Sequence, residues 1–207
     1  MKIEIVQEPV TRLAEYASIP SAFEVKRVME VTREGSLITL TERETDRRTK
    51  DYDVFPGEGP ASWAKRFEMS GWKFFAARID GERVGGAAVV ARSDAIELLE
   101  GRSDLALLWD IRVAPAARRT GVGSALVQGV ESWARGQRIA TIKVETQDIN
   151  VPACRFYLRH GYVLRSAIPN AYGDFPDETQ LLWYKEIGVA THDNPATSDS
   201  LPRPSTR

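Results

Sequence analysis

Residues 105–147 read LALLWDIRVAPAARRTGVGSALVQGVESWARGQRIATIKVETQ, and the order of patterns within them decides the fold. From Leu105 to Val113, alternation predicts a strand. Leu105, Leu107, Trp109, Ile111 and Val113 share one face, while the other changes from Ala106 and Leu108 to Asp110 and Arg112. A glycine-containing turn follows, then a helix from about Gly121 to Arg135. Val122, Leu126, Val130 and Trp133 face inward, and Gln128, Glu131 and Arg135 outward. Ile139 to Gln147 reads as the next strand. Strand, helix and strand with short connections form a βαβ unit, so the two strands should be parallel with a right-handed crossover. Ligands of such sheets favour the carboxyl ends of the strands, which here carry Asp110, Arg112 and Glu145.

The turn between the first strand and the helix reads Arg118-Arg119-Thr120-Gly121-Val122-Gly123-Ser124. A helix start exposes unpaired N–H groups and the positive end of the helix dipole, which suits a phosphate. Two glycines let the backbone come close to phosphate oxygens, and the arginines add charge. The Lys-Ser/Thr of a P-loop and the third small residue of a dinucleotide fingerprint are missing, which argues against nucleoside triphosphate and NAD. The plain alternative is a glycine-eased turn with exposed arginines. Further on, Asn150 is a candidate N-cap, Pro152 fits the first turn of a second helix, and Gly161 fits its end. By helical spacing alone, Tyr157 reads as a core aromatic whose hydroxyl finds a partner.

Working outward, Trp72 to Ile79 and Arg83 to Ala91 flank Asp80-Gly81 and predict an antiparallel hairpin. Ser21 to Val31 and Leu37 to Glu44 predict two more strands, and Pro60 to Met69 a short helix. Residues 188–207 are rich in Pro, Ser, Thr, Asp and Asn and predict a flexible tail, so one α/β domain is expected over residues 1–187. Lysine and arginine total 28 against 29 acidic residues, a net charge of −1, so neither nucleic acid nor membrane is expected as a partner. Cys154 is the only cysteine, and His160 and His192 are the only histidines, which excludes a disulfide framework or a Cys/His zinc site within one chain. No metal is expected. The amino terminus carries no apolar run of signal length, and no run approaches the roughly 18 apolar residues of a membrane span, so a cytoplasmic location is expected.

Arg118, Gly121 and Gly123 match the first motif of the GNAT superfamily of acyl-CoA N-acetyltransferases. Asn150, Ala153, Phe156, Tyr157, Gly161 and Tyr162 match its second motif, with tyrosine in place of phenylalanine at position 162. The chain from Trp72 to Ile187 therefore resembles that superfamily. Leu108–Val113, Glu145–Asn150 and Ala171–Pro176 are most similar to streptothricin acetyltransferases. The region before Trp72 departs from the pattern, since two helices expected after the first strand are not legible there.

The resemblance implies a mixed, mostly antiparallel α/β sheet whose central βαβ strands splay around acetyl-CoA as co-substrate. It implies cofactor contacts from the backbone of Ile111, Arg112 and Val113, from Arg118, Arg119, Thr120, Gly121, Val122, Gly123 and Ser124, and from Asn150. Tyr157 would protonate the departing thiolate. An alkyl ammonium, with a pKa of about 10.4, must lose a proton before attack, and Asp110 and Glu145 are candidate bases, directly or through water. The alternative for each is a carboxylate paired with Arg112 or Lys143. A lone Cys154 inside an amphipathic helix reads as a small buried hydrophobe, and His160 as a helix-end cap. The acceptor is a small-molecule or peptide amine. It should be cationic if Asp110, Glu145, Asp148, Asp174, Asp177 and Glu178 crowd one cleft. Transfer to protein lysines or amino termini, a non-catalytic acetyl-CoA sensor, and a homodimer stay open.

Overall fold

The structure, a computed structural model, describes residues 2–55 and 59–188. Nine strands run β1 (Glu4–Glu8), β2 (Phe23–Glu34), β3 (Leu37–Lys50), β4 (Trp72–Ile79), β5 (Glu82–Ala91), β6 (Leu105–Val113), β7 (Thr141–Gln147), β8 (Val163–Ile168) and β9 (Gln180–Glu186). Four helices join them: α1 (Leu13–Ala17), α2 (Pro60–Arg66), α3 (Val122–Gly136) and α4 (Val151–Arg159). Seven strands form one sheet in the order β1-β4-β5-β6-β7-β9-β8, and β2 and β3 form a separate hairpin. Among the described residues only the β6–β7 pairing is parallel, as the short crossover through α3 requires.

One sheet face packs Ala87, Val89, Ala106, Leu108, Ile142 and Val144 against α3, α4 and the inner side of the hairpin. The other packs Phe74, Val90, Leu105 and Leu107 against α1, α2 and a cluster built on Trp63 and Trp72. The single-face reading of Leu105–Val113 needs correction. Leu108 pairs with Val89 and Asp110 with Ala88, so Trp109 is one extra residue, a β-bulge. A bulge resets the two-residue period. Trp109 accordingly packs with the tryptophan cluster, whereas Ile111 and Val113 pack against the α3 side, and Asp110 and Arg112 turn to the side of Tyr16.

The bulge coincides with the end of the parallel pairing. Register runs from Leu105↔Thr141 to Leu108↔Val144 and stops, while β6 stays paired to β5 as far as Val113 and β7 to β9 as far as Gln147. A wedge therefore opens between two strands that are each held on their outer side. The expected splay is present.

Other boundaries shift for local reasons. β7 starts at Thr141 rather than Ile139 because Arg138 takes φ 58°, a turn conformation. The helix at Pro60 ends at Arg66, as Phe67 is extended. The hairpin strands run longer than their apolar patterns because their outer residues are charged and exposed. Of the two early helices, α2 is the helix expected at Pro60 and α1 is the one the sequence did not show; both are short and the whole hairpin separates them. From residue 189 on, the expected tail lies outside the described residues. Among the described residues no helix is long and apolar enough to cross a membrane, and no group of three His, Cys, Asp or Glu side chains could hold a metal ion.

Candidate active site

At one end of the wedge stands the start of α3. Gly121 occupies the N-cap with φ 95° and offers no side-chain cap, so the N–H groups of the first turn have no side-chain partner there. The first bond back to this turn is Ala125 N to the Gly121 carbonyl at 3.0 Å. Arg119 precedes it with φ 69°, a conformation that costs an arginine what glycine avoids. A Cβ on Gly123 would stand 3.2 Å from the Phe156 ring, so the missing side chain lets α4 approach the turn closely. Thr120 Oγ1 donates to the Ala117 carbonyl at 2.7 Å, closing the turn from within. Ser124 Oγ is 2.9 Å from His160 Nε2, whose Nδ1 is 2.8 Å from the Phe156 carbonyl, so His160 ties α4's end to α3's start.

Along the β6 wall, the phase of the backbone decides which groups face the gap. Ala114 N donates to the Val84 carbonyl of β5 at 2.9 Å. By alternation, the peptide groups of Arg112 also turn to β5, and those of Ile111 and Val113 turn to the wedge. Arg118 Nε donates to the Val113 carbonyl at 3.2 Å and its Nη2 to the Ala22 carbonyl at 3.2 Å, so this arginine crosses the mouth of the wedge.

Arg112 contributes its side chain elsewhere. It is buried, donates to Asp53 at 2.6 and 2.9 Å, to Asp110 at 2.9 to 3.1 Å, and to the Ile19 carbonyl at 3.2 Å. Burial works against its charge, but the two carboxylates overrule this and its pKa rises. Asp110 also accepts the Tyr16 hydroxyl at 2.7 Å. Thus Asp110 lies in an ion cluster, with Arg112 and Tyr16 both donating to it.

Glu145, on the opposite wall, is different. Burial raises its pKa above the ordinary carboxylate value, opposed by hydrogen bonds from Tyr172 and Gln180 and by the charge of Lys143. Tyr172 donates to Glu145 Oε1 at 2.6 Å, and Lys143 Nζ is itself committed to Glu100 at 2.7 Å. At the end of β7, Tyr52 donates to Gln147 Oε1 at 2.6 Å, while Asn150 caps α4 by accepting from Ala153 N at 3.2 Å. Tyr157 is 3% exposed, and burial drives its pKa well up, so the phenol keeps its proton. Its ring packs edge to face on Phe156 and Tyr162. Neighbouring Tyr162 and the charge of Asp110 on β6 push the same way. Cys154 is fully buried beside Thr146, and burial pushes its thiol up to about 12, which rules out a resting thiolate.

The six acidic residues do not crowd one cleft. Asp110 is neutralised by Arg112 and Glu178 by Lys50, Asp174 is exposed, and Asp148 and Asp177 line a groove under the hairpin with Arg33, Arg43 and Arg48. Tyr16, Lys50, Tyr52, Asp53 and Tyr172 escaped the sequence reading. Only Tyr172 carried any signal, inside the Ala171–Pro176 phrase.

Set against known proteins, this arrangement has close parallels. The acetyltransferase (GNAT) family model matches residues 39–162, more than half of the chain. A streptothricin acetyltransferase of Escherichia coli is 30% identical over 189 residues, which cover 89% of this chain and 95% of that protein. Streptothricin acetyltransferase A of Bacillus subtilis is 35% identical over 91 residues, 43% of this chain and 53% of that protein, so the alignment spans about half of that relative. The crystal structure of nourseothricin acetyltransferase shares the fold with a TM-score of 0.70 at 23% identity, covering 91% of this chain and 100% of that one. A Bacillus anthracis protein in complex with acetyl coenzyme A does so with a TM-score of 0.72 at 22% identity, covering 90% and 99%.

Proposed function

Because this chain belongs to the GNAT acetyltransferase family, we propose that it moves the acetyl group of acetyl-CoA directly onto a primary amine of a small cationic acceptor of the streptothricin kind. The observation that carries this reading is the wedge. It has a phosphate-suited helix start at one end, peptides of β6 with no strand partner along one wall, and a half-buried carboxylate with raised pKa on the other. The names of the relatives in Escherichia coli and Bacillus subtilis supply the acceptor class.

In this scheme the N–H groups of Val122, Gly123 and Ser124 hold the pyrophosphate, with Arg118 and Arg119 nearby. The peptides of Ile111 and Val113 hold the pantetheine arm as an added strand would be held. Asn150 borders the same path at the start of α4. Glu145 takes the proton of the ammonium, directly or through one water, and the freed nitrogen attacks the thioester carbonyl. Glu145 suits this role better than Asp110, whose oxygens are held by Arg112 and Tyr16. Tyr157, kept protonated by burial, donates its proton to the sulfur as the thiolate departs, and the second proton lost by the nitrogen as it becomes the amide restores the phenol, directly or through water. Asp110 positions β6 through Arg112.

The test is free-thiol release from acetyl-CoA with a panel of streptothricin, aminoglycosides, polyamines and lysine-bearing peptides. Release with the polycationic small molecules alone is the expected result. Release with peptides alone would overturn the acceptor class, and failure of acetyl-CoA to raise the melting temperature would overturn the cofactor.

A further inference from the structure

Lys50 ends β3 and is only 6% exposed, an unusual position for an ammonium. Its Nζ donates to both oxygens of Glu178, at 2.9 and 3.0 Å, and Glu178 is itself 5% exposed. The same nitrogen lies 3.4 Å from the ring centroid of Phe175, 5.4 Å from that of Phe55 and 6.0 Å from that of Tyr52. Phe55 and Phe175 meet edge to face with centroids 5.1 Å apart. A carboxylate with aromatic faces around it is the chemistry that recognises an alkyl ammonium or guanidinium, whichever molecule carries it.

The box also has the right neighbours. Its aromatic walls are half-exposed residues of two loops, one after β3 and one before β9, so it lies one side chain beneath the surface. The first loop places the Tyr52 hydroxyl on Gln147, and the second places the Tyr172 hydroxyl on Glu145. The charge of Glu178 is felt by both tyrosines. The box and the proposed base thus share their supporting loops.

We propose that Glu178, Phe175, Phe55 and Tyr52 form a second cation subsite for the acceptor, held in the free protein by Lys50 and taken over by a charged nitrogen of a polycationic amine. The inference rests on the acetyltransfer reading above. A buried ion pair barely offsets its own desolvation, so exchanging one cation for another costs little. A neutral group in the same place would leave Glu178 buried and unpaired, which is costly. The displaced lysine has a four-carbon stem that returns its ammonium to water. Acceptors with two separated cations are thereby selected over monoamines, and Lys50 sets the concentration at which they enter.

The experiment uses the full chain, acetyl-CoA, and a monoamine paired with the α,ω-diamine of equal length. Lys50→Ala should lower the KM of the diamine by about tenfold, within the range that desolvated cation–π contacts support. The monoamine KM should stay within about twofold, and Lys50→Ala/Glu178→Ala should lose the gain. Equal changes for both amines, or a higher diamine KM, would overturn the subsite. A second measurement needs no variant: reductive methylation of Lys50 in the unmodified protein, followed by mass spectrometry, with and without an unreactive bis-quaternary ammonium. Faster labelling of Lys50 with the probe is expected. Unchanged labelling, whether or not the probe binds, would overturn the displacement. Since labelling requires no turnover, its outcome stands apart from any failure of acetyl transfer.

Discussion

The two ends of the wedge are made of different material. At the α3 end the groups are backbone: N–H donors of one turn, left free because Gly121 caps without a side chain, and peptides of Ile111 and Val113 turned outward by strand phase. At the Glu145 end they are side chains from segments far apart in sequence, with Tyr172 and Tyr52 reaching β7 from two loops and Tyr16, Asp53 and Arg112 fastening the opposite wall. A backbone site serves a co-substrate common to a whole family, whereas a side-chain site can be changed loop by loop to suit one acceptor. Damage at the first should therefore alter acetyl-CoA affinity, and damage at the second should alter turnover and acceptor choice.

That contrast can be broken most forcefully at Arg112. Replacing it by Met leaves the half-buried Asp53 and Asp110 facing each other without their cation, and should cost about 3 kcal/mol of stability in urea unfolding. A loss under about 1 kcal/mol would mean that water already solvates this cluster. Glu145→Gln is expected to lower kcat by about 10²–10⁴-fold with the acetyl-CoA KM little changed; a dominant rise in that KM would erase the division between the ends. Tyr157→Phe should lower turnover by at least about tenfold at unchanged coenzyme affinity, and unchanged turnover would remove Tyr157 from the mechanism.

The pH profile sharpens the picture further. In the proposed scheme Glu145 acts when ionised, and burial raises its pKa, so kcat/KM should climb with pH through a limb above the ordinary carboxylate range. Tyr172 donates to the ionised form and holds that pKa down. Tyr172→Phe should therefore move the limb to higher pH; a limb that stays put would separate Glu145 from the observed ionisation. The smallest effect is expected at Arg119, where glycine would relieve φ 69° but add freedom to the unfolded chain. Arg119→Gly should stabilise by less than about 1 kcal/mol in thermal melts and leave acceptor preference alone.

The βαβ unit, its glycine turn and the Asn150 cap were legible because each depends on residues close in sequence. The Asp80-Gly81 turn was legible for the same reason. The bulge at Trp109 was not, since period-2 alternation carries no sign of which partner residue will be skipped. Asp110 and Glu145 look alike as strand-end carboxylates, yet one lies against Arg112 and the other under Tyr172. Whether six acidic residues crowd one cleft was likewise not legible, because the cation that neutralises Glu178 comes from a distant segment of the chain.

Sequence by itself determined the family, the parallel pair and the turn suited to phosphate, because steric and hydrogen-bonding demands on the backbone act over a few residues and leave glycine, proline and capping side chains at fixed offsets. Only the tertiary structure decided which carboxylate stays available in the wedge and that a lysine fills the aromatic box, because burial and ion pairing depend on what folds against a group from a hundred residues away, and no local pattern records that distance.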